Sequence, residues 1–376
     1  MAARPAGDTH GADDRASTRV STLPMPRLRT LASVAPVVIV HLALPLIFAY
    51  AVWRSAASGI ANWLPAVYLA LTFGAFIYLA GAWSWFGHAV RLLLAGVTVG
   101  AAVAGARRSV ASPLMSLDVI DLIVRGGVGT MFLIATVSAV RGRRVRGPAL
   151  DLAFPLRGGT FVIGQGGSTT AVNYHADHPS QAWALDILKL NAAGIRANGL
   201  YPAALARYAI YEAEVVGPCD GVIASVEDGV PDRPPPECDE GRPAGNCLAI
   251  ETETATVFLA HLKCGSILVQ VGEQVRAGQS LARVGNSGNT TEPHLHVHAE
   301  AGKYAGQMMA GPGVPLRFGG RFLVRNDRIT PSHETSADSA ASPLKSVSAA
   351  SGAEAESAET ISNAEHAKDA EDLRQE

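Results

Sequence analysis

The stretch TVFLAHLKCGSILVQVGEQVRAGQSLARVGNSGNTTEPHLHVHAE, residues 256–300, decides the fold of the C-terminal half of the chain. Short aliphatic and β-branched runs alternate in it with glycine-containing turns, a pattern typical of strands. The same texture begins near Leu150, and its spacing of about ten residues favours an antiparallel sheet or an open barrel over residues 150–330. A short helix is expected over 202–211, and strands are predicted over 161–165, 182–188, 221–227, 247–251, 256–262, 266–271, 280–285 and 294–300.

The end of this stretch carries a row of histidines. His294 and His296 are two residues apart on a predicted strand, so both side chains project from the same face, and His298 continues the row. The glycine-rich turn GNSGNTTEP, residues 285–293, directly precedes this strand and is expected to place its first residues at a cleft. The pattern is typical of a metal ligand placed beside a catalytic base. A solvated polar strand face is the weaker alternative.

These elements resemble the C-terminal half of the M23 (LytM, lysostaphin-like) zinc metallopeptidases. The shared elements are a histidine in an AHL strand, then VGEQVRAGQ, GNSGNT and HLH, and the resemblance covers residues 155–302. It implies that Asp186 and His296 bind one Zn2+ and that His261 and His294 form the catalytic pair. Three protein ligands leave the fourth zinc position open for water, which zinc makes acidic enough to react near neutral pH.

The chain departs from this family at one zinc ligand. The family's HxxxD motif requires a histidine four residues before Asp186, where this chain has Ala182. The nearest upstream histidines are His175 and His178, in NYHADHP. An NxH before a Q-x-x-A-x-D segment resembles the pattern of some membrane-attached relatives, which favours His175 as the third ligand. His178, or a degenerate site without a third protein ligand, stays open as an alternative.

The N-terminal part of the chain is predicted to be a membrane region over residues 31–141. Leu31–Trp53 and Ile60–Trp85 lack charged residues, and Ile120–Val140 carries only Asp121 and Arg125, four residues apart, which can neutralise each other. Each is about as long as a spanning helix needs to be. A fourth apolar stretch, 92–105, is shorter and is flanked by arginines, so we expect three spans, with four as the alternative.

The number of spans decides the side of the C-terminal domain. With a basic N-terminus inside the cell, three spans put the domain outside and four put it inside. Basic residues flank the stretch 92–105 and also follow the last apolar stretch, so the positive-inside rule does not decide between three and four spans. The three-span count predicts a multi-pass protein of the bacterial inner membrane with an extracytoplasmic C-terminal domain.

Composition excludes several classes of protein. Of 376 residues, 17% are charged, and only seven charged residues lie between 31 and 140, which excludes a wholly soluble or wholly disordered chain. A net charge of −2 argues against a nucleic-acid partner. Residues 1–30 are polar, and residues 332–376 are rich in Ala, Ser and Glu and are predicted to be a disordered tail.

All four cysteines lie in the C-terminal domain, and no pair of them has the CxxC spacing of a structural zinc site. Two disulfides are one interpretation, in which Cys238 pairs with Cys247 across the proline-rich loop and Cys219 pairs with Cys264. Four free thiols are the other, with Cys264 near the metal.

These patterns lead to a functional hypothesis and two alternatives. The hypothesis is a membrane-anchored zinc metalloendopeptidase that hydrolyses peptide cross-links of peptidoglycan. The first alternative is a degenerate, non-catalytic module that binds wall peptide or activates another wall hydrolase. The second, which follows only from four spans, is a cytoplasmic domain with an unrelated zinc-dependent role. The expected partners are peptidoglycan peptides and membrane lipid, together with a wall hydrolase or a divisome-type protein.

Overall fold

The computed structural model describes residues 25–145 and 147–331, with the backbone alone for residues 25–31. The predicted tail over 332–376 and most of the polar segment 1–30 therefore lie outside the described residues. The described chain consists of an N-terminal helical region followed by a domain built mainly from β-strands, as the sequence predicts.

Four segments of the helical region are long and apolar enough to cross a membrane: Ala32–Ser58, Ile60–Ala80, His88–Ala111 and Val119–Arg141. In the first, a π-helical turn over Ile39–Ala43 joins two α-helices. The α-helices are α1 (Met25–Val38), α2 (Leu44–Ser55), α3 (Ile60–Ala80), α4 (His88–Ala111) and α5 (Val119–Arg141).

The described chain has four helices long and apolar enough to cross a membrane where three spans are expected, because the stretch 92–105 belongs to the 24-residue helix α4. The number of helices that cross stays a prediction. Helix α4 continues past the charged residues that bound its apolar core. The guanidinium of Arg91 lies 3.9 Å from the ring centre of Tyr78, and that of Arg108 lies 4.5 Å from the ring of Trp53. Aromatic rings of neighbouring helices thus contact an arginine near each end of α4. A prediction that counts only uncharged residues ends the helix at these arginines and makes it too short.

The helix connections fall into two groups at opposite ends of the bundle. At one end, the turn after α2 meets the segment between α4 and α5, where Asn62 Nδ2 donates to Ser116 O (3.2 Å) and the Asp118 amide donates to Asn62 Oδ1 (3.1 Å). At the other end lie the loop 81–87 between α3 and α4, the end of α5 and the C-terminal domain. If all four segments cross a membrane, the chain enters the first and leaves the last on the same side.

The C-terminal domain is organised around one eight-stranded antiparallel sheet in the order β12-β2-β3-β10-β7-β6-β5-β8. The described strands do not close into a barrel, since β12 and β8 are free edges. Two small sheets flank it, β4 with β9 antiparallel and β1 with β11 parallel. The strands are β1 (Leu150–Leu152), β2 (Thr160–Gln165), β3 (Leu185–Leu190), β4 (Glu214–Val216), β5 (Gly221–Glu227), β6 (Asn246–Glu251), β7 (Ala255–Leu262), β8 (Gln274–Val275), β9 (Ser280–Arg283), β10 (Leu295–Ala301), β11 (Leu316–Phe318) and β12 (Arg328–Ile329).

Two local predictions are wrong. Residues 266–271 form no strand, although Ile267 and Val269 pack on the main core and supply the apolar pattern that suggested one. The helix expected over 202–211 is a single 3-10 turn, Leu205–Arg207. In each place only part of the apolar pattern is buried: Val269 is buried whereas Leu268 and Val271 are exposed, and Tyr208 and Ile210 are buried whereas Leu205 is not. The backbone there makes isolated hydrogen bonds, such as the one from the Leu268 amide to Leu281 O (2.9 Å).

The four cysteines are free thiols, so neither predicted disulfide is formed in the structure. The strand register explains why Cys219 cannot reach Cys264. Cys219 precedes β5 at the sheet end where Val222 pairs with Glu251, whereas Cys264 follows β7 at the opposite end, where Leu262 pairs with Asn246. A disulfide needs Cα atoms within about 7 Å of each other, which is less than the length of these strands.

Candidate metal centre

The centre of the sheet places two predicted ligands side by side. On adjacent antiparallel strands, Asp186 of β3 pairs directly with His296 of β10. Directly paired residues project from the same face of a sheet. Both side chains are buried, and Asp186 Oδ1 lies 3.0 Å from His296 Nδ1.

His175 reaches the same point from outside the sheet. It lies in the 3-10 turn Tyr174–Asp177 between β2 and β3, and its Nε2 is 3.1 and 3.2 Å from the two oxygens of Asp186. The fully buried Asn173 fixes this turn: its side-chain oxygen accepts from the His175 amide (3.2 Å), and its Nδ2 donates to the carbonyls of Gly167 (3.0 Å) and Ala184 (3.1 Å). The turn therefore supplies an imidazole at the aspartate, in a chain that lacks the expected histidine at Ala182.

His175, Asp186 and His296 thus offer three donor atoms that all lie within 4.8 Å of one another. Two imidazoles and one carboxylate form a donor set that suits zinc. His178 is not part of this group: it is exposed at the end of the same turn, and its amide donates to His175 O (2.9 Å). Cys264 is not part of it either.

The charges in the site suit a cation. Burial alone raises the pKa of Asp186, but the imidazoles of His294 and His175 beside it hold that pKa well below its ordinary value. Burial lowers the pKa of His296 to about 3. An ionised carboxylate beside a neutral imidazole is the protonation state that metal ligands need.

The hydrogen bonds behind His296 determine which of its nitrogens faces Asp186. Glu300 can only accept, so it takes the Nε2 proton of His298 (3.2 Å), and Nδ1 of the neutral His298 accepts from His296 Nε2 (3.0 Å). His296 Nδ1 then carries a lone pair, and it points at the Asp186 carboxylate. Two acceptor atoms 3.0 Å apart repel each other unless a cation lies between them, so these residues fit a bound metal ion.

Glu300 was not among the residues predicted from the sequence. Its carboxylate also accepts the amides of Met309 and Gly311, both at 2.6 Å, which hold it in place. The period-two row of residues 294, 296 and 298 ends at this glutamate, so the strand pattern contains the signal that identifies it.

The predicted catalytic pair, His261 and His294, lies next to the group of three. Their ring centres are 4.7 Å apart, and the ring of His261 is 5.9 Å from that of His296. The register shift between β6 and β7 gives β7 one extra residue, and His261 there has a φ of +61°. Bulges of this kind re-aim side chains next to active sites.

In each of these two histidines, one ring nitrogen donates a hydrogen bond to a backbone carbonyl group, which holds the ring in place. His261 Nδ1 donates to Ser287 O (2.9 Å), and burial lowers its pKa well below the ordinary value. His294 Nδ1 donates to Glu292 O (2.9 Å). Its buried Nε2 has no hydrogen-bond partner among the described residues and lies 3.6 Å from Asp186 Oδ1. When the proton is on Nδ1, the lone pair of Nε2 is directed at the ligand group and can accept a proton there.

A cavity of about 440 Å³ opens onto this arrangement. Its lining includes Asp186, His294, Tyr174, Thr290 and Arg325. Residues 81–85, from the loop between α3 and α4, also belong to its wall. The cavity gives a substrate a route to the metal group.

Comparison with known proteins gives one family. The sequence model of peptidase family M23 matches residues 207–307, and no curated protein matches the chain.

Among solved structures, a peptidase M23 from Pseudomonas aeruginosa is 17% identical, with 45% of this chain and 53% of that chain covered and a TM-score of 0.25. A zinc containing peptidase from Vibrio cholerae is 23% identical, with 31% and 46% covered and a TM-score of 0.20. The catalytic domain of the antimicrobial peptidase lysostaphin from Staphylococcus simulans is 21% identical, with 29% and 80% covered and a TM-score of 0.19. The chain spans about half of the length of the first two structures.

Proposed function

We propose that this chain, whose residues 207–307 belong to a domain of peptidase family M23, is a membrane-anchored zinc metalloendopeptidase that hydrolyses peptide cross-links of peptidoglycan. The observation that carries the proposal is the buried group of His175, Asp186 and His296, with two further histidines beside it. Restoration of a third donor by His175 favours catalysis over a degenerate site, which lacks that donor.

The three residues of the group would hold the ion, with His298 and Glu300 fixing the orientation of His296. A bound zinc ion supplies a Lewis acid that acidifies water and polarises a peptide carbonyl. All three residues of the group are buried, and burial strengthens the electrostatic interactions within a site.

His294 is assigned the role of general base. Its Nε2 is free to accept a proton, and the carbonyl of Glu292 holds the opposite nitrogen so that the ring stays in one orientation. His261, held in the same way by Ser287, lies next to it, and because its Nδ1 donates to that carbonyl, its Nε2 is a second proton acceptor beside the group. Arg325 lines the same cavity and brings a positive charge to it.

An extracytoplasmic domain completes this proposal, since cross-linked peptidoglycan lies outside the membrane. With four crossing helices the N-terminus is then also outside. A second candidate is the cytoplasmic domain with a different zinc-dependent role. It is favoured by the four apolar helices combined with the arginines of the N-terminal segment, which the positive-inside rule places in the cytoplasm.

The proposed function is tested on the purified full-length protein in detergent, loaded with zinc and incubated with cross-linked muropeptides. We expect release of the uncross-linked peptides by the wild type and none by His294→Ala. Binding of muropeptides without cleavage by a zinc-loaded wild type supports the binding module instead.

A further inference from the structure

The loop between α3 and α4, residues 81–87, forms part of the active-site cavity although it joins two apolar helices. Gly81, Ala82, Ser84 and Trp85 line the same cavity as Asp186. The sequence of this loop, GAWSWFG, contains two tryptophans and a phenylalanine, the residue types that collect at membrane–water interfaces. The cavity therefore lies directly at the end of the helical bundle.

The loop has a defined shape that is fixed from the helical side. The buried Trp83 donates its indole N–H to Ile77 O (2.8 Å), and the Ala82 amide donates to Nε2 of His41 (2.7 Å). Gly81 leaves no room for a side chain, since a Cβ there would lie 2.5 Å from Ile77 O. The loop is thus a rigid wall that α3 and the first spanning segment hold in place.

The domain fastens the same loop from the other side. Asn326 Nδ2 donates to the carbonyls of Leu79 (3.0 Å) and Gly81 (2.9 Å), and the Arg196 amide donates to Ser84 O (2.9 Å). Asn326 has a φ of +70°, a left-handed conformation that asparagine tolerates better than most residues. The domain therefore donates hydrogen bonds to backbone carbonyls at the end of α3 and in the loop. These bonds fix the distance between the helical bundle and the domain.

A chain of contacts runs from the loop to the proposed general base. The guanidinium of the buried Arg196 lies 3.6 Å from the ring centre of Trp85 and donates from Nε to Glu292 (2.6 Å). The carbonyl of the same Glu292 holds His294 Nδ1. Trp85 also stacks on Tyr201, with ring centres 5.4 Å apart, and the Tyr201 hydroxyl donates to Thr291 O (2.7 Å). Trp85 thus supports the turn that carries His294 by two routes.

We propose that the cleft works at the membrane–water interface and that its substrate is a wall-type peptide carried on a lipid anchor, an inference that rests on the proposed function. Ser84 and Asp186 line one cavity of about 440 Å³. A sphere of that volume is about 9 Å across, the size of an ordinary ligand pocket, so we take a bond at Asp186 to lie about that far from the loop between α3 and α4. An extended residue spans about 3.3–3.6 Å, so the scissile bond lies about three residues from the point where the peptide leaves the membrane surface. A lipid-linked peptide is the form of the proposed substrate that places a peptide bond there.

The test uses the full-length zinc-loaded protein in liposomes and one cleavable peptide in three forms. The first is soluble, the second is joined to a diacyl lipid about three residues from the scissile bond, and the third is joined through a flexible linker of about twenty residues. We expect both tethered forms to benefit from surface concentration and the short tether to be cleaved at least as fast as the long one, about tenfold faster than the soluble form.

Resistance of the short tether, with cleavage of the long and soluble forms, would place the cleft out of reach of the interface and overturn the inference. Cleavage of the short tether no faster than the soluble form would overturn it as well. If all three forms stay intact while zinc is bound, the proposed peptidase function itself fails, and the inference fails with it.

A matched pair of variants tests the loop directly. Trp85→Ala removes the contact with Arg196, and Trp53→Ala removes the similar contact with Arg108 at the far end of the bundle. We expect Trp85→Ala to weaken binding of an uncleavable short-tether analogue to the metal-free protein by about tenfold and Trp53→Ala to leave it unchanged. Separate samples of both variants, loaded with zinc, should contain as much zinc as the wild type, which shows that the variants are folded. Equal binding by the two variants would contradict a role of the loop in the site.

Discussion

His296 Nε2 lies 3.0 Å from His298 Nδ1, and this contact orients the imidazole that faces Asp186. Because Glu300 fixes the proton of His298, His296 must donate from Nε2 and keep its Nδ1 lone pair toward Asp186. The β10 strand therefore contributes a predicted ligand, the partner that orients it, and the carboxylate behind that partner. These three residues, His296, His298 and Glu300, occupy every second position of β10 and alternate with buried apolar residues.

Loss of this orientation is expected to weaken metal binding without removing it. We predict that His298→Ala lowers zinc affinity by about 10–100-fold, because the partners behind a ligand hold its tautomer and ring orientation. The measurement is a competition titration with a zinc chelator on the full-length protein. Lys303→Ala, at an exposed ion pair after the same strand, is the control and should bind zinc like the wild type. Unchanged affinity in His298→Ala would show that His296 needs no such partner.

The two histidines assigned to catalysis are expected to behave differently from the ligands. His294→Ala and His261→Ala should keep their zinc and lower the rate of peptide cleavage by about 10²–10⁴-fold, the usual contribution of a positioned acid or base. Zinc content and turnover are measured on the same samples. Loss of zinc from either variant would place that residue among the ligands instead.

Asn173 is expected to control both stability and metal binding through the turn that carries His175. Asn173→Ala leaves buried backbone groups of Gly167, Ala184 and His175 without their partner, which costs about 1–3 kcal/mol in the free energy of unfolding. Thermal unfolding of the full chain in detergent should show a lower midpoint, and zinc affinity should fall with it. A variant with normal zinc affinity would mean that the turn keeps its shape without Asn173.

The helix count gives a topology that can be measured. If the four apolar segments cross the membrane, residues near 115 and residues near 145 lie on opposite sides. Reporters fused after these positions should give opposite signals in cells, and a reporter after residue 145 shows on which side the proposed peptidase works. Equal signals from the two fusions would mean that α5 does not cross.

Much of the site could be predicted from the sequence because strand periodicity is local. The spacing of His294, His296 and His298 gives a shared face, and the resemblance of the surrounding block to M23 peptidases points to Asp186 as their neighbour. The structure pairs Asp186 with His296 across two adjacent strands, although zinc binding by these residues stays a prediction.

The remaining features depend on contacts between distant segments. The position of His175 follows from the hydrogen bonds of Asn173, which no spacing rule contains. Arg91 and Arg108 of α4 lie against the rings of Tyr78 and Trp53 on neighbouring helices, and these contacts cannot be read from the spacing of charged residues. The role of residues 81–85 in the cavity could not be predicted, because it arises only when the domain docks on the end of the helical bundle.

The measurement that tests the central claim most directly is the zinc content of the full-length wild type and of the variants His175→Ala and His178→Ala. His175 lies in the turn Tyr174–Asp177 and belongs to the group, whereas His178 directly follows that turn, is exposed and lies outside the group. His178→Ala is therefore the control for loss of a histidine from the same segment. We predict about one equivalent of zinc in the wild type and in His178→Ala and almost none in His175→Ala, since a site with only Asp186 and His296 binds zinc weakly. Full zinc content in His175→Ala, or a wild type that never binds zinc, would contradict the account.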